Sequence, residues 1–233
     1  MLGVASLNSY YGKSQALRDF SIEVKSGEVL CLLGRNGAGK TTALRSIMGL
    51  VRTKGGQLTL DGQDLSRKRA HEIPKHGIGY VPQGRRLFSK LTVRENLEIG
   101  LMTRKTGRGA LDWPLELFPI LRERMNQPSG TLSGGEQTML AIARALCIEP
   151  KVIMLDEPTE GLQPSVIAKI REVVVQLRET GVATILVEQR VDAVLSVADR
   201  VCFMESGQVR STLPIANLHD DPSLLHKYVG VSH

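Results

Sequence analysis

The sequence predicts an α/β protein with a mainly parallel central sheet, and two observations predict this class. Apolar segments with strand patterns alternate with helical patterns through the last third of the chain, as expected for parallel strands joined by helical crossovers. In the first third, the apolar run at residues 29–33 leads directly into a glycine-rich loop and a helix. Ligands in such sheets bind at the carboxyl ends of the strands, so we expect the functional site there.

The first third of the chain is rich in predicted strands. Residues 20–24 alternate between apolar and polar side chains, as in a strand with one buried face. Residues 29–33 are apolar throughout, which is typical of a central strand buried on both faces. A helix follows at about residues 40–50. Gly55-Gly56 then begins a β-hairpin, in which Asp61-Gly62 forms a turn of the primed type.

The middle of the chain is predicted to be mainly helical. A short strand at residues 77–81 comes first. Thr92 and Glu95 then have the spacing of a capping box, so a helix begins there. The stretch that follows mixes glycine, proline and short helical patterns. We expect a helical subdomain at about residues 84–140, inserted into a single domain that spans residues 1–233.

The last third supplies the rest of the parallel sheet. Strands are predicted at residues 152–155, 183–187 and 201–204. A helix lies between the first two of them, with a proline in its first turn, and stops near residue 181. Residues 211–233 carry no chemical signal and are predicted to form a short surface tail or an edge helix.

Composition limits the class of protein. The chain has 233 residues and a net charge of +6, which fits contact with phosphate-bearing ligands or an anionic membrane face. Cys31, Cys147 and Cys202 are widely spaced and lie in apolar runs, so we expect small buried residues in a reducing, cytosolic setting. No apolar stretch approaches the roughly 18 residues that span a bilayer, and the start lacks a signal-peptide pattern. If the protein functions at a membrane, we therefore expect it to do so through partner proteins.

The strongest local signal is the run GRNGAGKT at residues 34–41, which matches the P-loop pattern G-x-x-x-x-G-K-[ST]. Glycines let the backbone N–H groups point at phosphate oxygens, and the following helix adds its positive dipole end. Lys40 supplies a full charge toward the β- and γ-phosphates, and the Thr41 hydroxyl can ligate Mg²⁺. The predicted phosphate-binding residues are Gly34, Arg35, Asn36, Gly37, Ala38, Gly39, Lys40, Thr41 and Thr42.

A second signal is an acidic pair that follows the predicted strand at residues 152–155. Asp156 and Glu157 stand at the carboxyl end of that strand, where they would face the P-loop across the sheet. We expect Asp156 to hold the Mg²⁺ shell through water. Glu157 is expected to polarise the attacking water as general base.

The third signal is the run LSGGEQ at residues 132–137. Ser133 and Glu136 have capping-box spacing ahead of an apolar-periodic helix, and Gly134 and Gly135 leave the helix amides open to an anion. This run resembles the signature motif of ABC ATPases. The resemblance implies the ABC-ATPase form of the P-loop NTPase fold, with an antiparallel β subdomain and an inserted helical subdomain. It also implies a head-to-tail dimer, in which this motif grips the γ-phosphate of ATP bound to the opposing subunit.

The resemblance implies further site residues. Gln83 resembles the glutamine that touches Mg²⁺ and the attacking water. Tyr11, which precedes Gly12, resembles the aromatic residue that stacks on adenine, and Tyr10 beside it is a rival for that role. The surface from Gln83 to Asn96 resembles the one that receives a coupling helix from a membrane subunit.

Two departures from the family pattern affect the expected chemistry. The family usually places a histidine after the strand that follows the acidic pair, and Gln189 occupies that position here. An amide donates a hydrogen bond but carries no positive charge, so we expect weaker transition-state stabilisation. The loop after the acidic pair reads Glu160-Gly161-Leu162-Gln163, where the family pattern usually ends in aspartate.

The resemblance extends from Tyr11 to about Gln208 and favours the importers of branched-chain amino acids and urea, with the urea-importer ATPase subunit most similar. It implies a peripheral ATP hydrolase at the cytoplasmic face of the membrane. The implied partners are a paralogous ATPase (or a second copy in isolation), two membrane permeases and a periplasmic or extracellular binding protein, with no nucleic acid. A branched-chain amino acid importer subunit and a soluble ABC ATPase acting on nucleic acid or the ribosome remain the alternatives.

Overall fold

The computed structural model describes residues 1–104 and 107–221, which form two β-sheets and a set of helices. The strands, in chain order, are β1 (Leu2–Tyr11), β2 (Ser14–Val24), β3 (Val29–Leu33), β4 (Arg52–Thr53), β5 (Gln57–Leu60), β6 (Gln63–Asp64), β7 (Ile78–Val81), β8 (Val152–Asp156), β9 (Ala183–Val187), β10 (Arg200–Glu205) and β11 (Gln208–Pro214). The α-helices are α1 (Lys40–Ile47), α2 (Val93–Arg104), α3 (Asp112–Leu117), α4 (Pro119–Glu123), α5 (Gly134–Leu146), α6 (Pro164–Glu179), α7 (Val191–Val197) and α8 (Ile215–Asp220). Short 3₁₀ helices lie at Ile73–His76, Arg108–Leu111 and Ser129–Thr131.

The central sheet has six strands in the order β11-β10-β3-β9-β8-β7. Every neighbouring pair is parallel except β10 and β11, which form an antiparallel hairpin at one edge. All residues of β3, β8 and β9 are buried, as their apolar runs predict, although β8 ends in Asp156 and β9 contains Thr184. The predicted fold class, α/β with a mainly parallel central sheet, is confirmed.

The second sheet is antiparallel, with the order β2-β1-β5-β6 and β4 paired to β1. The β5–β6 hairpin turns at Asp61 and Gly62, both with positive φ, as the primed turn requires. Strand β1 was not predicted from the sequence. Its buried residues change phase after Val4, because the register with β2 shifts between Val4 and Leu7 at the bulge where Ser6 has φ of 50°. A bulge of this kind destroys the simple alternation that identifies a strand.

Two hydrophobic clusters lie on opposite faces of the central sheet. Alternate residues of β3 enter each of them: Cys31 belongs to the cluster that includes α5 and α6, and Leu32 to the cluster that includes α1 and the antiparallel sheet. The sheet is therefore held between the helices on one side and the second sheet on the other. All three cysteines are buried, as expected.

The helical region follows β7. Helix α2 begins with the predicted capping box, in which the Thr92 N–H donates to Glu95 Oε2 at 2.7 Å and the Glu95 N–H donates to Thr92 Oγ1 at 3.2 Å. Asn96 is fully buried, and its side-chain amide donates to the Thr92 carbonyl and to Ser129 Oγ. The boundaries of the subdomain at about residues 84–140 stay a prediction.

Some predicted element ends were wrong. Helix α1 ends at Ile47 rather than near residue 50, because Gly49 adopts a left-handed conformation with φ of 68°. For residues 211–233, predicted as a surface tail or an edge helix, the structure shows the end of β11 and then helix α8, and residues 222–233 lie outside the described residues. Within residues 1–104 and 107–221, no helix combines the length and the apolar character that crossing a membrane would need.

Candidate active site

The P-loop connects β3 to α1 at the carboxyl end of the central sheet. Lys40, at the start of α1, is 5% exposed, and its Nζ donates to the carbonyl of Gly34 at 2.6 Å and to that of Arg35 at 3.2 Å. Burial lowers the pKa of the Lys40 ammonium, while the nearby charges of Glu157 and Asp156 oppose that shift. The loop thus curls around the ammonium group, which its own carbonyls hold in place.

Glycine is required where the P-loop passes close to other backbone. A Cβ atom at Gly34 would lie 2.3 Å from the carbonyl oxygen of Met204, at the end of β10. Gly39, the residue before α1, has φ of 103°, and a Cβ there would lie 3.1 Å from Leu17 Cδ2. Gly34 and Gly39 are therefore needed because other chain segments, β2 and the β10–β11 hairpin, pass too close for a side chain. Gly39 is needed also for its positive φ.

Asp156 lies across from the P-loop at the end of β8, as predicted. It is 1% exposed and accepts hydrogen bonds from Thr41 Oγ1 at 3.0 Å and from the Tyr80 hydroxyl at 3.3 Å. Burial raises the pKa of the Asp156 carboxyl, and the two hydroxyl donors lower it. The oxygen atoms of Thr41 and Asp156 are side by side, which fits a hard divalent cation such as Mg²⁺.

Glu157, the residue after Asp156, has a strained backbone conformation. Its φ is 50°, and its N–H donates to the carbonyl of Val187 at the end of β9. Each of its carboxylate oxygens accepts a side-chain amide: Gln189 Nε2 lies 2.7 Å from Oε1 and Gln83 Nε2 lies 3.1 Å from Oε2. The structure therefore brings together Gln83, Glu157 and Gln189, which the sequence placed in one site.

A cleft of about 620 Å³ opens beside these residues. Its lining includes predicted residues from the P-loop together with Gln83, Glu157 and Gln189. Sequence reasoning missed six further lining residues, which come from β2, from the loop after β8 and from the β10–β11 turn: Gln15, Ala16, Arg18, Glu160, Ser206 and Gly207. For Ser206 and Gly207, the only signal in the sequence was that the two residues are typical of a turn. The residues of β2 left no signal, because nothing in the sequence shows that β2 passes the P-loop.

Tyr11 does not line this cleft. It ends β1, is 46% exposed and is followed by the left-handed turn residue Gly12. Its rival Tyr10 lies under the ammonium of Lys54, with Nζ 5.0 Å from the ring centroid. An exposed aromatic ring is available for stacking on a base, so the prediction for Tyr11 stays open.

Helix α5 begins with the predicted capping box. The Ser133 N–H donates to Glu136 Oε2 at 2.8 Å, and the Glu136 N–H donates to Ser133 Oγ at 3.3 Å. The Ser133 donors lower the pKa of the Glu136 carboxyl. A Cβ at Gly135 would lie 2.8 Å from Val166 Cγ2, so this helix start is packed against α6. None of residues 133–136 is among those that line the cleft of the same chain.

Comparison with known proteins decides the family. The family model described as "ABC transporter" matches residues 17–160, which contain the P-loop, the Ser133 capping box and the acidic pair. The chain belongs to the ABC transporter family. It is an ATPase subunit of a transporter, since ABC ATPases hydrolyse ATP to power transport. The predictions of an ATP hydrolase and of the ABC-ATPase fold are confirmed.

Several curated relatives of this ABC ATPase cover nearly its whole length. The high-affinity branched-chain amino acid transport ATP-binding protein BraG of Pseudomonas aeruginosa is 44% identical over 99% of this chain and 100% of its own. The probable branched-chain amino acid transport protein LivF of Archaeoglobus fulgidus is 39% identical over 90% of both chains. The lipopolysaccharide export ATP-binding protein LptB of Haemophilus influenzae is 35% identical over 99% of this chain and 97% of its own.

Solved structures of ABC cassettes have the same fold. A nucleotide-free ATP-binding cassette from an ABC transporter superposes with a TM-score of 0.86 at 28% identity, covering 99% of both chains. The dimeric post-hydrolysis state of the cassette MJ0796, bound to ADP and phosphate, superposes with a TM-score of 0.82 at 26% identity, covering 92% of this chain and 99% of that one. A dimer is thus found among related cassettes.

Proposed function

We propose that this ABC ATPase powers the import of branched-chain amino acids. The observation that carries the proposal is the 44% identity to BraG over essentially the full length of both chains. The identity to the lipopolysaccharide exporter subunit is lower, at 35%, which favours import over export. The proposal replaces the urea importer that the sequence resemblance favoured, since none of the relatives named above is a urea transporter.

Urea or short amides form the second candidate substrate class. It rests on four runs that resemble the urea-importer subunit, at residues 10–12, 34–37, 80–85 and 157–165. No residue of this chain is expected to contact the transported molecule, so chemistry at the ATP site cannot separate the two classes. Uptake of radiolabelled leucine and of radiolabelled urea, measured in a strain that lacks this gene, distinguishes them. Loss of leucine uptake alone supports the proposal, and loss of urea uptake alone contradicts it.

The proposed mechanism assigns hydrolysis to groups around the cleft. The P-loop amides and Lys40 bind the phosphates, which places the γ-phosphate beside Glu157. A water oxygen attacks the γ-phosphorus as the bond to the β-phosphate oxygen breaks, and Glu157 accepts the proton of that water. Gln83 and Gln189 each donate a hydrogen bond to one carboxylate oxygen of Glu157. The two bonds fix the orientation of the carboxylate that accepts the proton.

Mg²⁺ is the expected cofactor. Thr41, Asp156 and Gln83 are the residues that would hold it, with Asp156 acting through water. When bound, Mg²⁺ neutralises charge on the phosphates. Asp156 is well placed for this role, because Thr41 and Tyr80 already fix the positions of its two oxygens.

A dimer completes the proposed site. Ser133, Gly134, Gly135 and Glu136 do not reach the cleft of their own chain, whereas their N-terminal helix position suits an anion. We propose that they contact the γ-phosphate bound to the opposing subunit. The opposing subunit is a paralogous ATPase that keeps the histidine, or a second copy when the chain is alone.

The remaining partners follow from the same assignment. Two membrane permeases would bind the surface around residues 83–96, and a periplasmic or extracellular protein would deliver the substrate. The ATPase would then lie at the cytoplasmic face of the membrane. Tyr11 would stack on the adenine, and Gln189 would make this chain's site slower than its partner's, because the amide carries no charge.

A further inference from the structure

A buried carboxylate beside the candidate site has no part in the mechanism above. Glu188 is 3% exposed and follows β9 directly. Burial raises the pKa of its carboxyl, while several hydrogen-bond donors oppose the shift. Burying a carboxylate costs free energy unless its oxygens accept hydrogen bonds. The groups that donate to Glu188 therefore show which parts of the chain it connects.

The donors come from two different loops. The hydroxyl of Thr159, in the loop between β8 and α6, donates to Glu188 Oε1 at 2.5 Å. The backbone N–H of Gln189 donates to Glu188 Oε2 at 3.2 Å. Thr159 is itself 5% exposed, so water does not compete for this pair. One carboxylate therefore joins the loop of Thr159 to the loop of Gln189.

The same two loops also meet at Glu157. The Gln189 carboxamide donates to Glu157, and Gln83 donates both to Glu157 and to Glu160, at 3.1 Å and 2.9 Å. The contacts of Gln83 and Gln189 join exposed side chains, whereas the bond from Thr159 to Glu188 is buried. A buried bond defines position better than an exposed one, because solvent offers no alternative partner.

We infer that Glu188 and Thr159 are positioning residues, which hold the Gln189 carboxamide on Glu157 by fixing the loop after β9 to the loop after β8. They do not touch the phosphates. A displacement of the Thr159 loop would thereby move the donor away from the proposed general base. The inference rests on the proposed roles of Gln189 and Glu157 for its effect on turnover, but the positioning itself is a property of the folded chain.

The positioning can be tested without turnover. In a ¹⁵N spectrum of the full-length chain, the side-chain amide of Gln189 is assigned from its loss in Gln189→Ala. Thr159→Val removes the hydroxyl and keeps the shape, and Thr159→Ser keeps the hydroxyl. We expect the Gln189 amide signal to move toward those of glutamines that lack a carboxylate partner in Thr159→Val and to stay in place in Thr159→Ser. An unmoved signal in folded Thr159→Val overturns the inference.

A second variant covers the case in which Thr159→Val does not fold. Glu188→Met keeps the length of the side chain and removes both acceptor oxygens, so neither the Thr159 hydroxyl nor the Gln189 N–H keeps its partner. The Gln189 amide signal is expected to move in this variant as well. Backbone signals in the same spectra report whether each variant is folded, and an unmoved amide signal again contradicts the inference.

Turnover distinguishes the positioning from the proposed chemistry. We expect Thr159→Val to lower kcat by roughly 10- to 100-fold, as small misplacements of catalytic groups do, with little change in the KM for ATP. In a Gln189→Ala background the same change should have no further effect, because the positioned group is absent. If the amide signal moves and kcat does not, the positioning stands and the catalytic role of Gln189 is wrong.

Discussion

Replacing Glu157 by glutamine removes the proposed base and one of the two oxygens that accept amide donors. The carboxylate is held by two amide donors, from Gln83 and Gln189, at 3.1 Å and 2.7 Å. The substitution keeps the side-chain length and one acceptor oxygen, so the cleft should retain its shape and its affinity for ATP. What is lost is the ability to accept the proton of the attacking water.

The size of the effect follows from the chemistry of general bases, which contribute about 10²- to 10⁴-fold to rate. Since tenfold in rate corresponds to about 1.36 kcal/mol, the barrier should rise by about 3–5 kcal/mol. Phosphate release measures turnover, and a fluorescent ATP analogue measures binding. Turnover reduced by less than tenfold with normal binding would remove Glu157 from the mechanism.

Three further changes test other groups. Lys40→Ala should abolish measurable hydrolysis and weaken ATP binding by roughly tenfold or more, because a charge-assisted contact to the phosphates is lost. Gln189→His should raise ATPase turnover in the assembled complex, because imidazole can carry a positive charge beside the γ-phosphate. Gly207→Ala should lower the free energy of unfolding by roughly 1–3 kcal/mol, since its φ is 78° and the new Cβ would lie 2.2 Å from the Ala16 carbonyl oxygen.

Each of these has its own control or contrary outcome. Gly55 has φ of 71° but no atom within 4 Å of a built Cβ, so Gly55→Ala isolates backbone strain, and equal losses in both alanine variants would contradict the proposed clash. ATP binding by Lys40→Ala at the normal affinity would show that the P-loop amides suffice. Unchanged or reduced turnover in Gln189→His would refute the idea that the amide slows this site.

The central strands could be predicted because their burial is uniform. Residues 29–33 are apolar throughout and residues 183–187 are apolar except for Thr184, and the structure places them as β3 and β9 with every residue buried. Capping boxes were equally informative, because Thr92-Glu95 and Ser133-Glu136 are local hydrogen-bond patterns that need no tertiary context. The two central strands and the two helix starts were therefore predicted correctly, because each has a pattern that can be read from consecutive residues.

Elements that depend on distant contacts were missed. Strand β1 is disguised by the bulge at Ser6, and α7 is only seven residues long and follows a loop, so neither gives a periodic signal. The same limit applies to the site. Gln15 and Arg18 reach the cleft because β2 passes the P-loop, and the Thr159–Glu188 bond spans 29 positions of sequence. Spatial neighbours of this kind leave no mark in a single sequence.

The proposed hydrolysis depends on ATP lying between two subunits. The most direct measurement is a structure of the full-length chain carrying Glu157→Gln, with ATP and Mg²⁺, assembled with its partner or with a second copy. We predict that the Ser133 helix start of one subunit contacts the γ-phosphate held by the Lys40 loop of the other. A bound nucleotide with Ser133 remote from every phosphate would contradict the account.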